Sequence, residues 1–226
     1  MLDYNLPKVS GFCLKLKAST GPNWNRATRH PFTDLIGSGT ATEAQFRRYL
    51  VNDYYFVGYF VQALENLIKK APNKKARNTL RNFLVSVTDT ENDYFERSLE
   101  TLGLSFVDAA KIEPDESIVA LSAFLLDVSE IGTYEHSLTA FLACEWIYEE
   151  WALIQATKPK PEQFYLAEWI TLHSSREFLK FVAWIREEIN SRSQYLGPQD
   201  CIQMELTFNK VVRMEVDFWN ASLTSE

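Results

Sequence analysis

Apolar residues recur along most of the chain at the three- and four-residue spacing of an amphipathic helix. No segment shows a clear run of the two-residue alternation that marks a half-buried strand. Breaks fall where helices stop most readily, at Gly21-Pro22, Gly37, Gly39, Pro72, Gly103, Gly132 and Gly197-Pro198. The pattern predicts helices over 6–19, 22–37 with a bend at His30-Pro31, 42–70, 73–102, 115–130, 134–157, 161–172, 174–193 and 199–223. Thr42 followed three residues later by Gln45 is a capping-box arrangement for the helix from 42. Lys69-Lys70-Ala71-Pro72 closes it, with basic residues in the last turn and proline beyond. No repeat or low-complexity tract divides the sequence, so the expectation is one all-α domain spanning residues 1–226.

Three carboxylates break the apolar stripes. At helical spacing Asp53 is surrounded by Phe46, Tyr49, Leu50, Phe56, Val57 and Phe60. Glu215 stands among Phe208, Val211, Val212, Phe218 and Trp219. Glu145 has Leu138, Phe141, Leu142 and Tyr148 on its side, with Cys144 immediately before it. It is also the single charge in the run 138–147, and a helix apolar all round is normally buried on most sides. An isolated buried charge costs several kcal/mol or more, so such a group shifts its pKa or finds a partner. The three together predict an acid-lined, aromatic-walled pocket inside a helical bundle. The alternative for Glu145 is a surface position or a structural ion pair with Arg176 or Arg213.

Composition narrows the chemistry. With 226 residues, 46% hydrophobic and 14% aromatic, the chain can bury a large core and supply flat walls for a planar ligand. Thirty acidic residues against 23 basic ones give a net charge of −7, without the basic footprint that nucleic acid or an anionic membrane requires. No apolar run approaches 18 residues, so no transmembrane helix is expected, and residues 1–7 lead into no secretory apolar region. Three widely spaced cysteines, Cys13, Cys144 and Cys201, favour a reducing cytoplasm over a disulfide framework. The histidines are His30, His136 and His173, and no Glu is followed by His three residues later, which disfavours a di-iron carboxylate site. That count leaves a histidine-ligated haem open. His30, before Pro31, reads as a helix-end residue. Phosphate-binding, nucleophile-elbow and zinc motifs are missing from the sequence. What remains is a buried Glu able to donate a proton and a cysteine able to attack carbon if its thiolate is stabilised.

Ala27-Thr28-Arg29-His30-Pro31-Phe32, Gly37, and Phe46 with Tyr49 through Phe56 together resemble the TenA/thiaminase II family. Leu142 through Glu150, Trp169-Ile170 with Phe178, and Glu215 with Phe218-Trp219 continue the resemblance in the same order. The resemblance implies an all-α, haem-oxygenase-like bundle without haem, needing neither metal nor cofactor. It implies hydrolysis of the C–N bond of 4-amino-5-aminomethyl-2-methylpyrimidine, with thiamin cleavage in some members. Carried over position by position, Asp53 would hold the aminopyrimidine edge, and Glu215 would contact the ring and shuttle a proton. Cys144 stands where one branch has its nucleophile, with Tyr148 as its nearby tyrosine, and Glu145 stands where the other branch has a glutamate. Phe56 and the Ala-Thr-Arg-His run tilt the reading toward the glutamate branch. His173 occupies a position often aromatic. Tyr49, Phe56 and Tyr148 would stack on the ring, and a homo-oligomer, dimer or tetramer, follows by analogy. The rival readings are a non-catalytic pyrimidine-binding or regulatory protein and a metal- or haem-dependent oxidase on the same scaffold.

Overall fold

The computed structural model describes residues 10–223. The expected start of the first helix at 6–9 lies outside them. Among the described residues the chain is helix and connection, without a strand. In order come α1 (Gly11–Ser19), α2 (Pro22–Thr28), α3 (Pro31–Ser38) and α4 (Glu43–Lys70). Then follow α5 (Lys74–Val85), a π-helical segment (Ser86–Glu91), α6 (Asn92–Thr101) and the short α7 (Phe106–Ala109). The chain continues with α8 (Glu116–Ile131), α9 (Tyr134–Gln155), α10 (Phe164–His173), α11 (Arg176–Ser193) and α12 (Pro198–Leu223).

Local chemistry explains the boundaries. Thr42 and Gln45 form the reciprocal capping box, each side chain bonding the other's backbone N–H, so α4 starts where two orphan donors are satisfied. The bend expected at His30-Pro31 is a full break. The His30 Nδ1 atom accepts the Phe32 backbone N–H at 3.2 Å and caps α3, as its helix-end reading required. The helix expected over 73–102 runs from Lys74 to Thr101 but is not α-helical throughout. Thr88-Asp89-Thr90-Glu91-Asn92-Asp93 combines β-branched residues with side chains that compete for backbone hydrogen bonds, and the backbone widens there into the π segment.

α9 is the axis of the bundle. Every residue from Ser137 to Glu149 is buried, because α8, α11 and α12 pack along α9 and α2, α3 and α10 cover the rest. α4 lies against α8 and, at about 42 Å, runs most of the length of the molecule. Its inner face brings Tyr49, Asp53 and Phe56 toward α9, while α5 and the π segment close one side. No helix among the described residues is long and apolar enough to cross a membrane.

Candidate active site

Within the bundle, α4, α5, the π segment, α9 and α10 enclose a cavity of about 40 Å³. Asp53, Cys144, Glu145, Phe56, Tyr148 and His173 line it, bringing together six of the eight residues singled out from the sequence. Phe60, Phe83, Val87 and Trp169 complete the apolar wall, and Glu91 adds a further carboxylate. Glu215 and Tyr49 do not line the cavity. They stand one layer behind it, Glu215 against Cys144 and Tyr49 against Asp53. The cavity is far below the few hundred Å³ of a typical small-molecule site, so a ring must push its walls apart to bind. A second pocket of about 600 Å³ adjoins it and shares Phe83 and Glu91 as lining.

The polar groups behind Asp53 form a directed chain. Trp169 Nε1 donates to the Tyr49 hydroxyl at 2.9 Å, and that hydroxyl donates to Asp53 Oδ2 at 3.1 Å. Tyr49 has one hydroxyl proton, already given to Asp53, so across their 3.0 Å contact Tyr148 must donate to Tyr49. Tyr49 is therefore a buried hydrogen-bonding support rather than a stacking wall. Burial pushes Asp53 up to about 7 against the downward pull of the Tyr49 hydrogen bond. The Tyr49 phenol, itself held by the Trp169 indole, thus holds one oxygen of Asp53, so the carboxylate's orientation is fixed by its neighbours.

The other acids lack such support. Glu145 is 7% exposed and makes no ion pair or hydrogen bond among the described residues, which removes the pairing with Arg176 or Arg213. Burial first, then the charges of Glu91, Glu215 and Asp53, raise its pKa well above the usual carboxylate value. Glu215 has one carboxylate oxygen without a partner, and burial pushes it up to about 8 while the Cys144 thiol pulls it down. Burial and the flanking Glu215 and Glu145 keep Cys144 in its thiol form, far from thiolate. His173 Nδ1 lies 3.0 Å from the Trp169 carbonyl, which can only accept, so Nδ1 carries the proton and Nε2 is left as an acceptor. Burial lowers its pKa to about 4, so this imidazole is neutral at physiological pH.

Sequence reasoning missed Glu91. Its signal was present, since Leu84, Val87, Tyr94 and Phe95 flank it at helical spacing, but polar neighbours on both sides hid it. Burial, then repulsion from Asp53, push it up to about 8. Four acids therefore share one field, and the inner cavity has no lysine or arginine in its lining. The arrangement favours a ligand that is flat, polar along one edge and cationic at another.

The sequence profile of the TENA/THI-4/PQQC family matches residues 18–225, and the chain belongs to that family. It is 23% identical over 210 residues to the aminopyrimidine aminohydrolase of Halalkalibacterium halodurans, covering 92% of this chain and 94% of that relative. The fold superposes on the TenA homologue from P. horikoshii OT3 with a TM-score of 0.84 and 26% identity, over 94% of this chain and 98% of the other. A domain of unknown function from Shewanella denitrificans with a heme oxygenase-like fold matches at a TM-score of 0.61 and 16% identity, over 93% and 91% of the two chains. The fold class is the all-α, haem-oxygenase-like, TenA-type bundle expected from the resemblance.

Proposed function

We propose that this member of the TENA/THI-4/PQQC family is an aminopyrimidine aminohydrolase, releasing ammonia from 4-amino-5-aminomethyl-2-methylpyrimidine and leaving the hydroxymethyl product. The observation that carries this reading is an unpaired, buried Glu145 facing the same aromatic cavity as an Asp53 held in place by Tyr49. The ring stacks among Phe56, Tyr148 and Trp169. Asp53, whose hydrogen bond from Tyr49 favours the ionised form, accepts hydrogen bonds from the amino edge of the ring. Glu145, held neutral by burial and by its acidic neighbours, gives its proton to the exocyclic nitrogen as the C–N bond breaks. The oxygen of a water forms the new C–O bond, and we assign the uptake of its proton to the ionised form of Glu215, relayed by the Cys144 thiol that lies between Glu215 and the cavity. Hydrolysis of thiamin itself would use the same cavity, but its quaternary thiazolium nitrogen departs as neutral thiazole without taking a proton from Glu145.

A second reading is a covalent route, favoured by the direct Cys144–Glu215 interaction. Sulfur would attack the methylene carbon as the C–N bond breaks, the thiol proton would pass by way of Glu215 to the departing ammonia, and water would later displace the sulfur and restore the thiol. The absence of any cation among the cavity-lining residues weighs against it, since nothing there favours a thiolate. Ammonia release by Cys144→Ala and Glu145→Gln on the same aminopyrimidine separates the two. Near-complete loss in Glu145→Gln with modest loss in Cys144→Ala is the expected result, and the reverse would establish the covalent route. The same reading has the protein acting in the cytoplasm as a homo-oligomer, which light scattering on the purified chain tests.

A further inference from the structure

Glu91 has no part in the reaction just described, yet it stands where the inner cavity meets the outer pocket and lines both. It is carried there by the π segment. Phe83, Val87 and Glu91 all face the cavity at spacings of four, although in a regular α-helix each such step drifts by roughly 40°. The wider i→i+5 turn takes up that drift and keeps the acid on the cavity side. A carboxylate placed by a local departure from regular helix is a feature that packing alone does not require, and such π turns are frequent at functional sites.

On the inner side of this neck the charges are one-sided, while the outer pocket carries both Glu177 and Lys180. Glu91 is the nearest in effect of the acids acting on Glu145, and Asp53 acts on Glu91 in turn. Glu145 is more than nine-tenths buried, without a partner, and faces the same space. The lining of the inner cavity contains no lysine or arginine, and its one histidine, His173, is held neutral by burial. A cationic nitrogen between Glu91 and Glu145 would supply the missing charge, where a hydroxyl at the same place would not.

The geometry points to Glu91 as a specificity-determining residue. Its carboxylate faces the amine at the neck and holds it as the cation once Glu145 has protonated it, favours aminomethyl over hydroxymethyl pyrimidines, and leaves the freed ammonia to depart through the outer pocket. This inference rests on the aminohydrolase reading above for the identity of the ligands. Asp53 selects the ring edge in that scheme, and Glu91 selects the group that departs.

The test compares two ligands that differ only at the side group. Calorimetry gives the affinity of the hydroxymethyl pyrimidine, and steady-state ammonia release gives KM and kcat for the aminomethyl one, in wild type, Glu91→Gln and Glu91→Asp. Loss of a charge-assisted contact predicts a KM for the aminomethyl substrate raised roughly tenfold in Glu91→Gln, with kcat falling by less. Affinity for the hydroxymethyl compound should stay within about twofold, inhibition by added ammonium chloride should weaken in parallel with the KM rise, and Glu91→Asp should recover part of the preference. Equal loss for both pyrimidines would show a structural role and overturn the inference, as would an unchanged KM. If the wild type releases no ammonia, the aminohydrolase reading fails, but calorimetry of both pyrimidines on wild type and Glu91→Gln still decides whether Glu91 discriminates between them.

Discussion

Glu145 and Glu149 occupy successive turns of the same buried helix and have opposite fates. Glu149 is 4% exposed and is engaged by both guanidinium nitrogens of Arg186, whose flat face also lies 5.1 Å from the Trp146 ring. Burial raises the pKa of both acids, but Arg186 pulls Glu149 back, whereas Glu91, Glu215 and Asp53 push Glu145 further up. One carboxylate is bound into the fold by a cation on α11. The other faces a cavity among like charges, where its cost is met by keeping its proton. Burial alone therefore does not mark a reactive acid. What marks it is burial without a partner beside space for a ligand.

The contrast can be broken from either end. The largest expected effect is on chemistry: Glu145→Gln should cut ammonia release by roughly 10²–10⁴-fold, with a thermal midpoint at or above that of wild type. A lower midpoint with activity retained would make Glu145 a structural acid like its neighbour. Arg186→Met should do the reverse. Leaving Glu149 unpaired removes about 3–5 kcal/mol of stability in a denaturant titration, while the activity per folded molecule stays within a few-fold.

Dependence on pH sharpens the same comparison. The cavity acids titrate near 4 when unfolded and higher when folded, Asp53 at about 7 and Glu91 and Glu215 at about 8. The folded acids thus bind more protons between those values, so their contribution to stability is greatest at low pH and declines as pH rises from about 4 through about 8, opposed below about 6.5 by the buried neutral His173. Thermal melts across this range should show a steeper decline in Arg186→Met, where the unpaired Glu149 joins the raised acids, and a shallower one in Asp53→Asn with Glu145→Gln. A wild-type decline no steeper than that of the double variant above about pH 6.5, where His173 no longer titrates, would contradict the raised values. The smallest effect belongs to the support layer. Tyr49→Phe removes the hydrogen bond that favours ionised Asp53, so the acid limb of the kcat/KM profile should move up by about one pH unit. An unmoved limb would detach Tyr49 from Asp53.

Much of this was visible in the amino-acid order. The capping residues Thr42 and Gln45, the break before Pro31 and the uniformly apolar stretch of α9 are local features, fixed by propensity and by the period of burial. Asp53, Glu145 and Glu215 stood out because each interrupts an apolar stripe. Glu91 did not, because Thr88, Asp89, Thr90, Asn92 and Asp93 make its surroundings read as a solvated turn, and the π segment that aims it inward has no simple periodic signature.

The sequence by itself determined which faces of which helices must be buried and which acids would be taken inside with them. Whether a buried acid meets a cation or an open space depends on what arrives from distant segments. Arg186 reaches Glu149 across 37 residues of chain, and Trp169 reaches Tyr49 across 120. Helical periodicity acts over three or four residues and cannot specify such meetings. Only the packing of α4, α9, α10 and the π segment against one another separated the bound carboxylate from the free one, because an electrostatic environment is set by neighbours in space.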